Sequence, residues 1–133
     1  MYDELLVPIR SEYDIVDARH RVRELCIKLS FSTGEQTLVA TCVSELARNI
    51  VEYAGSGEIF MALGDDSGEK AIIIIAEDKG PGIPDIELAM KDGYSTSKGL
   101  GIGLPGCKRI MDDFAIVSKI GKGTTVTVKK WKR

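Results

Sequence analysis

Cysteine is too scarce and too widely spread to frame this protein. Only Cys26, Cys42 and Cys107 occur in 133 residues, an odd count with no CxxC spacing. That argues against a disulfide scaffold and against a thiolate zinc site. Cys26 and Cys42 stand among apolar residues at helical spacing and read as small core residues. Histidine is scarcer still. His20, the single one, lies between Arg19 and Arg21, so no nucleophilic triad can be built around it. Long hydrophobic runs are missing too. The longest, Ala71-Ile-Ile-Ile-Ile-Ala76, falls far short of the ~20 residues that span a bilayer. The opening Met-Tyr-Asp-Glu lacks the basic start and apolar stretch of a signal peptide. A cytoplasmic protein without a membrane partner is therefore expected. Charge of one sign is not in excess either. The net charge is −2 and the sequence pI about 5.5, so no overall basic field draws nucleic acid. Lys129, Lys130, Lys132 and Arg133 gather at the end and read as a solvated terminus, with Trp131 packing or anchoring it.

What is present fits an ordinary soluble domain. The length predicts one domain over residues 1–133. Leu5-Leu-Val-Pro-Ile9 reads as a short strand, placed at a sheet edge by Pro8. A helix follows, with Asp14 as its N-cap and Ile15, Ala18, Val22, Leu25, Cys26 and Leu29 on one stripe. After a break at 30–34, with Thr33 as a cap, a second helix runs over 35–53. Its stripe is Leu38, Val39, Cys42, Val43, Leu46 and Ile50. Residues 58–63 and 70–77 read as strands around a turn, the second apolar on both faces and hence central. A sharp turn at 78–84, a short helix at 85–91 and a glycine- and serine-rich mobile loop at 92–103 come next. A helix over 104–112 and a hairpin of 114–118 with 124–128 close the chain. This order predicts an α+β fold: a two-layer α/β sandwich with a mostly antiparallel sheet and helices on one face.

Three pieces carry chemistry. On the second helix Glu45, Arg48, Asn49 and Glu52 share a face opposite the apolar stripe, directed outward or into a cleft. An amide oxygen and carboxylates are hard ligands suited to Mg²⁺, and a glutamate one turn from a metal can take a proton from an attacking hydroxyl. The same face is equally a solvated surface with salt bridges. Asp78 leaves the central strand just before Gly80-Pro-Gly82. A carboxylate there can accept a hydrogen bond from an exocyclic amino group, and the glycines let backbone approach a flat ring. A plain Pro-Gly turn has the same pattern. Gly99, Gly101 and Gly103 precede a helix, with Lys98 beside them. Glycine-rich backbone at a helix start presents N–H groups to phosphate. No strand runs directly into this segment, and no Gly-Lys-Ser/Thr follows, so neither a Rossmann fingerprint nor a Walker A loop fits. Thr124, after Gly123 on the returning strand, can bond a base beside Asp78 or serve as an ordinary sheet threonine.

In this order the pieces resemble the GHKL ATPase superfamily of gyrase, histidine kinases and MutL-like ATPases. Glu45-Leu-Ala-Arg-Asn49 is similar to its N box, Asp78-Lys-Gly-Pro-Gly82 to its first glycine box and Gly99-Leu-Gly-Ile-Gly103 to its second. Gly123-Thr124 matches its closing threonine. A bare domain of this kind, with neither a dimerisation helix pair nor a receiver, looks like the anti-sigma-factor-type serine/threonine kinases, in particular the switch kinases of bacterial stress-signalling stressosomes. The resemblance implies ATP and Mg²⁺ as cofactors. It implies Asn49 on the metal, Glu45 as general base, Asp78 with Thr124 on adenine, and Gly80, Gly82, Lys98, Gly99, Gly101 and Gly103 around the phosphates and lid. It further implies phosphorylation of STAS-domain scaffold and antagonist proteins in a partner-switching pathway, followed by binding and activation of a downstream phosphatase or other output protein. A homodimer is compatible with it. Three rival readings remain: a nucleotide-dependent anti-sigma-like binding switch with little phosphotransfer, an ATPase driving conformational change, and a histidine-kinase catalytic domain. Arg48 is left open between binding phosphate and pairing with Glu45 or Glu52.

Overall fold

The computed structural model describes residues 4–66, 68–91 and 102–132. Five strands form one sheet: β1 (Glu4–Ile9), β2 (Gly57–Asp66), β3 (Glu69–Asp78), β4 (Asp113–Lys119) and β5 (Gly123–Trp131). Their order is β1-β2-β3-β5-β4, and every neighbouring pair is antiparallel. Alternation explains the layer. Val7 and Ile9, Ile59 and Met61, Ile72, Ile74 and Ala76, and Val126 and Val128 are buried toward the helices. On the opposite face Ile73 and Ile75 are half-buried. β3 is thus the central strand its double-sided apolar pattern predicts, although helices cover one of its faces. Pro8 sits on edge strand β1, in register with Glu58 of β2.

Helices α1 (Glu12–Lys28), α2 (Thr33–Asn49) and α4 (Gly103–Ile110) pack over the sheet, with a single turn, α3 (Ile86–Ala89), beside them. The stripe of α1 is buried as its spacing predicts. Its N-cap, however, is Ser11. Asp14 lies in the first turn and accepts the Arg10 N–H at 2.8 Å. The cap of α2 also shifts by one residue, from Thr33 to Ser32. Ser32 and Glu35 form a reciprocal capping box, the Ser32 side chain accepting the Glu35 N–H at 3.1 Å and Glu35 accepting the Ser32 N–H at 2.9 Å. Val39, Cys42, Val43, Leu46 and Ala47 bury the inner side of α2. Each large apolar side chain so buried contributes roughly 1.5–3 kcal/mol.

The helical pattern does continue past Asn49, but as a π-helical turn, Ile50–Ala54, closed by Gly55 at φ +84°. The terminal lysines also depart from the solvated tail expected of them. β5 runs on to Trp131, so Lys129 and Lys130 are ladder residues opposite Ile73 and Ile72. The Trp131 ring lies under Lys129, 4.8 Å from its Nζ, and its Nε1–H donates to Asp113 at 3.3 Å. The three cysteines are free and buried, the state expected for Cys26 and Cys42. Burial pushes the Cys26 thiol up to about 12, so it stays protonated and unreactive at neutral pH.

Candidate functional site

One end of the sheet builds the site. Asp78, the last residue of β3, pairs with Thr124 of β5, and Thr124 pairs with Ser118 of β4. The three therefore form a row across adjacent strands, on the helix-covered side of the sheet. Asp78 Oδ1 accepts the Gly80 N–H at 2.9 Å, which turns the chain sharply and leaves Oδ2 for another donor. Gly82 takes φ +83°, and a Cβ there would meet the Lys119 carbonyl oxygen at 2.5 Å. Only glycine lets this turn seat against the β4–β5 hairpin, where the Gly121 N–H also bonds Pro81 O at 2.8 Å.

Facing this row is the end of α2. Asn49, half-buried, and Tyr53, half-exposed on the π-helical turn, reach the same space. Isolated π-turns inside α-helices recur at functional sites. The space is a cavity of about 630 Å³ walled by Asn49, Asp78, Gly82, Gly103 and Thr124. Tyr53, Ile83, Leu88, Leu104 and Ile120 line it with apolar surface. That volume and that mixture of apolar walls with few polar groups suit a nucleotide-sized ligand. Gly103 opens α4 at φ +57°, so it shapes the wall at a helix start. Sequence reasoning passed over Tyr53, Leu88 and Ile120. Their exposures of 50, 40 and 67% become informative only once the fold brings them to one opening. A signal existed for Tyr53, which follows Asn49 by four residues.

The remaining site candidates stand elsewhere. Gly80 supports Asp78 from behind, packed on Ala54, and is not part of the wall. Lys98, Gly99 and Gly101 lie outside the described residues, as does most of the loop at 92–103 read as mobile. Glu45 is 1% exposed and does not line the cavity. The expected outward face is therefore graded: Glu52 is exposed, Arg48 and Asn49 are half-buried and Glu45 is interior. α2 packs against both α1 and α4. Cys107 of α4 points its thiol at the Cys42 carbonyl, 3.7 Å away, and hydrogen bonding with Cys42 together with burial raises its pKa. Arg48 contacts Glu12 at 3.9 Å, tying the end of α2 to the start of α1. That partner was not among those weighed from sequence.

A metal fits this site in a restricted way. Among the described residues no group of three or more His, Cys, Asp and Glu gathers to hold one. Asn49 offers a single amide oxygen on the cavity wall. That matches Mg²⁺, which keeps several waters and usually reaches a site with substrate phosphates.

Residues 34–133 match the histidine kinase-, DNA gyrase B- and HSP90-like ATPase family. The chain is 51% identical to the serine/threonine-protein kinase RsbT of Bacillus subtilis (strain 168) over 133 residues, covering 100% of both chains. It is 32% identical to the anti-sigma F factor of Geobacillus stearothermophilus over 125 residues, covering 85% of this chain and 81% of that one. Among solved structures, one of the RsbU and RsbW domains of Rv1364c from Mycobacterium tuberculosis matches with a TM-score of 0.61 at 18% identity, covering 96% of this chain and 31% of that one. That likeness concerns the fold. The chain thus belongs to the histidine kinase-, DNA gyrase B- and HSP90-like ATPase family, on its serine/threonine-protein kinase branch.

Proposed function

We propose that the protein transfers the γ-phosphoryl group of Mg-ATP to a serine or threonine hydroxyl of a STAS-domain scaffold or antagonist protein. It then leaves that protein and binds and activates an output protein, as a switch in a bacterial stress-signalling pathway. The observation that carries the reading is the convergence of Asn49, Asp78, Gly82, Gly103 and Thr124 on one cavity. They come from four parts of the chain and have the donor and acceptor types a nucleotide needs. Full-length likeness to a serine/threonine-protein kinase supports the reaction class, and likeness to an anti-sigma factor supports a partner-switching role.

Each residue has a task in this reading. Asp78 accepts from the adenine amino group through Oδ2, with Thr124 beside it. The apolar walls hold the ring and exclude water. Asn49 would hold Mg²⁺ through its amide oxygen, where the ion neutralises phosphate charge. Glu45, one turn earlier on α2, orients or deprotonates the acceptor hydroxyl as it attacks the γ-phosphorus. The hydroxyl oxygen gains the bond to phosphorus as the bond to the β-phosphate bridging oxygen breaks, and ADP leaves. Such transfer relies on positioning and charge stabilisation more than on covalent catalysis. Lys98, Gly99 and Gly101 belong in this reading to the phosphate cover.

The test is incubation with γ-labelled ATP, Mg²⁺ and purified STAS-domain proteins. Acid-stable label on a serine or threonine of the STAS protein is expected. A stoichiometric complex without transfer would favour the binding-switch reading. Release of phosphate without an acceptor would favour the ATPase reading, and acid-labile label on histidine a histidine kinase.

A further inference from the structure

Ile120 is an isoleucine where the chain has no local reason for one. It sits at the tip of the β4–β5 hairpin, between Lys119 and Gly121-Lys122. Turn tips favour glycine and short polar residues, whereas β-branched residues favour strands. The Lys122 N–H closes the tip by donating to the Lys119 carbonyl oxygen at 3.0 Å, and Gly121 supplies the positive φ of +76°. Ile120 gains no burial from this turn and is 67% exposed. One exposed apolar side chain is ordinary. Here three of them, Tyr53, Leu88 and Ile120, come from separate parts of the chain to line one cavity.

The tip is held against the turn that follows Asp78. The Gly121 N–H donates to the Pro81 carbonyl oxygen at 2.8 Å, and Ser118 Oγ accepts the Ile83 N–H at 2.7 Å. A Cβ on Gly82 would meet the Ile120 Cα at 3.1 Å. Ile120 therefore stands beside the Asp78 turn and shortly before Thr124 in the chain, the two residues assigned to the base in the proposed reading. A flat heterocycle offers an apolar face to an isoleucine, which a charged phosphate does not. We propose that Ile120 is a ligand-contacting residue that packs on the base of the bound nucleotide, its side chain passing from solvent to a covered contact when the site fills. This rests on the nucleotide reading of the cavity.

The three native cysteines are buried, so Ile120→Cys gives the full chain one exposed thiol to follow. Its alkylation by N-ethylmaleimide should slow by about tenfold in saturating Mg-ATP, since a covered side chain reacts only from the open state. Val117→Cys is the control. Val117 is 61% exposed on β4 and alternates onto the sheet face away from the helices, so its substitute should react at the same rate with and without nucleotide. Inorganic triphosphate, which lacks the base, should protect neither position. By calorimetry Ile120→Ala should bind ATP and ADP each about three- to tenfold more weakly, the worth of one or two buried methylene groups, with an unchanged melting temperature. Ile120→Leu should keep most of the affinity. Equal alkylation of Ile120→Cys with and without ATP, in a protein that calorimetry shows to bind ATP, would overturn the contact and leave the nucleotide site standing. So would equal protection by triphosphate and ATP, or full ATP affinity in Ile120→Ala. Full affinity combined with lost transfer to a STAS-domain acceptor would assign the tip to the partner protein instead. If the wild type binds no ATP, both readings fall together.

Discussion

In the proposed reading Asp78 divides its carboxylate between structure and ligand, and that division makes it testable. One oxygen holds the Gly80 N–H at 2.9 Å; the other faces the cavity in the proposed reading. Asp78→Asn keeps a carbonyl oxygen for Gly80 but turns the second position into a donor, opposed to the adenine amino group. We expect about ten- to a hundredfold weaker ATP binding by calorimetry with an unchanged melting temperature, the cost of a mismatched buried polar pair. Asn49→Ala should act differently. It removes the amide oxygen assigned to Mg²⁺, so its ATP affinity with Mg²⁺ should fall to the value measured without it. At this scale the sequence was informative where residue identity alone fixes the chemistry. A carboxylate before Gly-x-Gly and an asparagine on the polar side of a helix could be picked out directly. It was uninformative where neighbours decide. Glu45 is buried on a helix that packs against both α1 and α4, the latter some sixty residues away in sequence. The Ser118 bond to Ile83 needs the hairpin and the 80–84 turn to meet.

Elements report the same contrast between local and distant causes. The stripe of α1 was readable, as was that of α2 apart from the exposed Leu38, because 3.6-residue periodicity is a local property. Their starts were each misplaced because serine, aspartate and threonine compete for the cap, and backbone dihedrals settle which one wins. β2, β3 and β5 extend beyond their apolar runs, since ladder pairing carries polar ends such as Lys129 and Lys130 along with it. The capping box of α2 has a pH signature. The Ser32 N–H donated to Glu35, with the Ser32 hydroxyl also in contact, holds the Glu35 carboxyl below its ordinary value of 4.5. A lowered folded pKa means the stabilisation is present above the unfolded value and is lost as pH falls through the folded one. Glu35→Gln keeps an acceptor for the Ser32 N–H but does not titrate. Its urea-unfolding stability should therefore lack this part of the wild type's decline below about pH 4.5, while the rest of the acid limb remains. An acid limb of unchanged slope would show that the cap contributes nothing on titration.

The whole molecule brings the end of α2 and one end of the sheet, the metal and base sides of the proposed reading, to one cavity. Neither wall is a site alone: the polar face of α2 could equally have been solvated, and the Asp78 turn could have been plain punctuation. The fold brings Asn49, Tyr53, Asp78 and Thr124 to the lining of one cavity. It also leaves Glu45 interior while Asn49 stands on the wall. In the proposed reading the acceptor hydroxyl has to approach the turn of α2 that carries Glu45. The most direct measurement is the single-turnover rate of phosphate transfer from γ-labelled ATP to a STAS-domain acceptor, wild type beside Glu45→Ala, both with ATP bound at saturation. General-base help is worth about 10²–10⁴-fold. A loss of that order is expected in Glu45→Ala, with ATP affinity retained and the label on serine or threonine in the wild type. Equal transfer rates in the two proteins, or no transfer by the wild type, would contradict it.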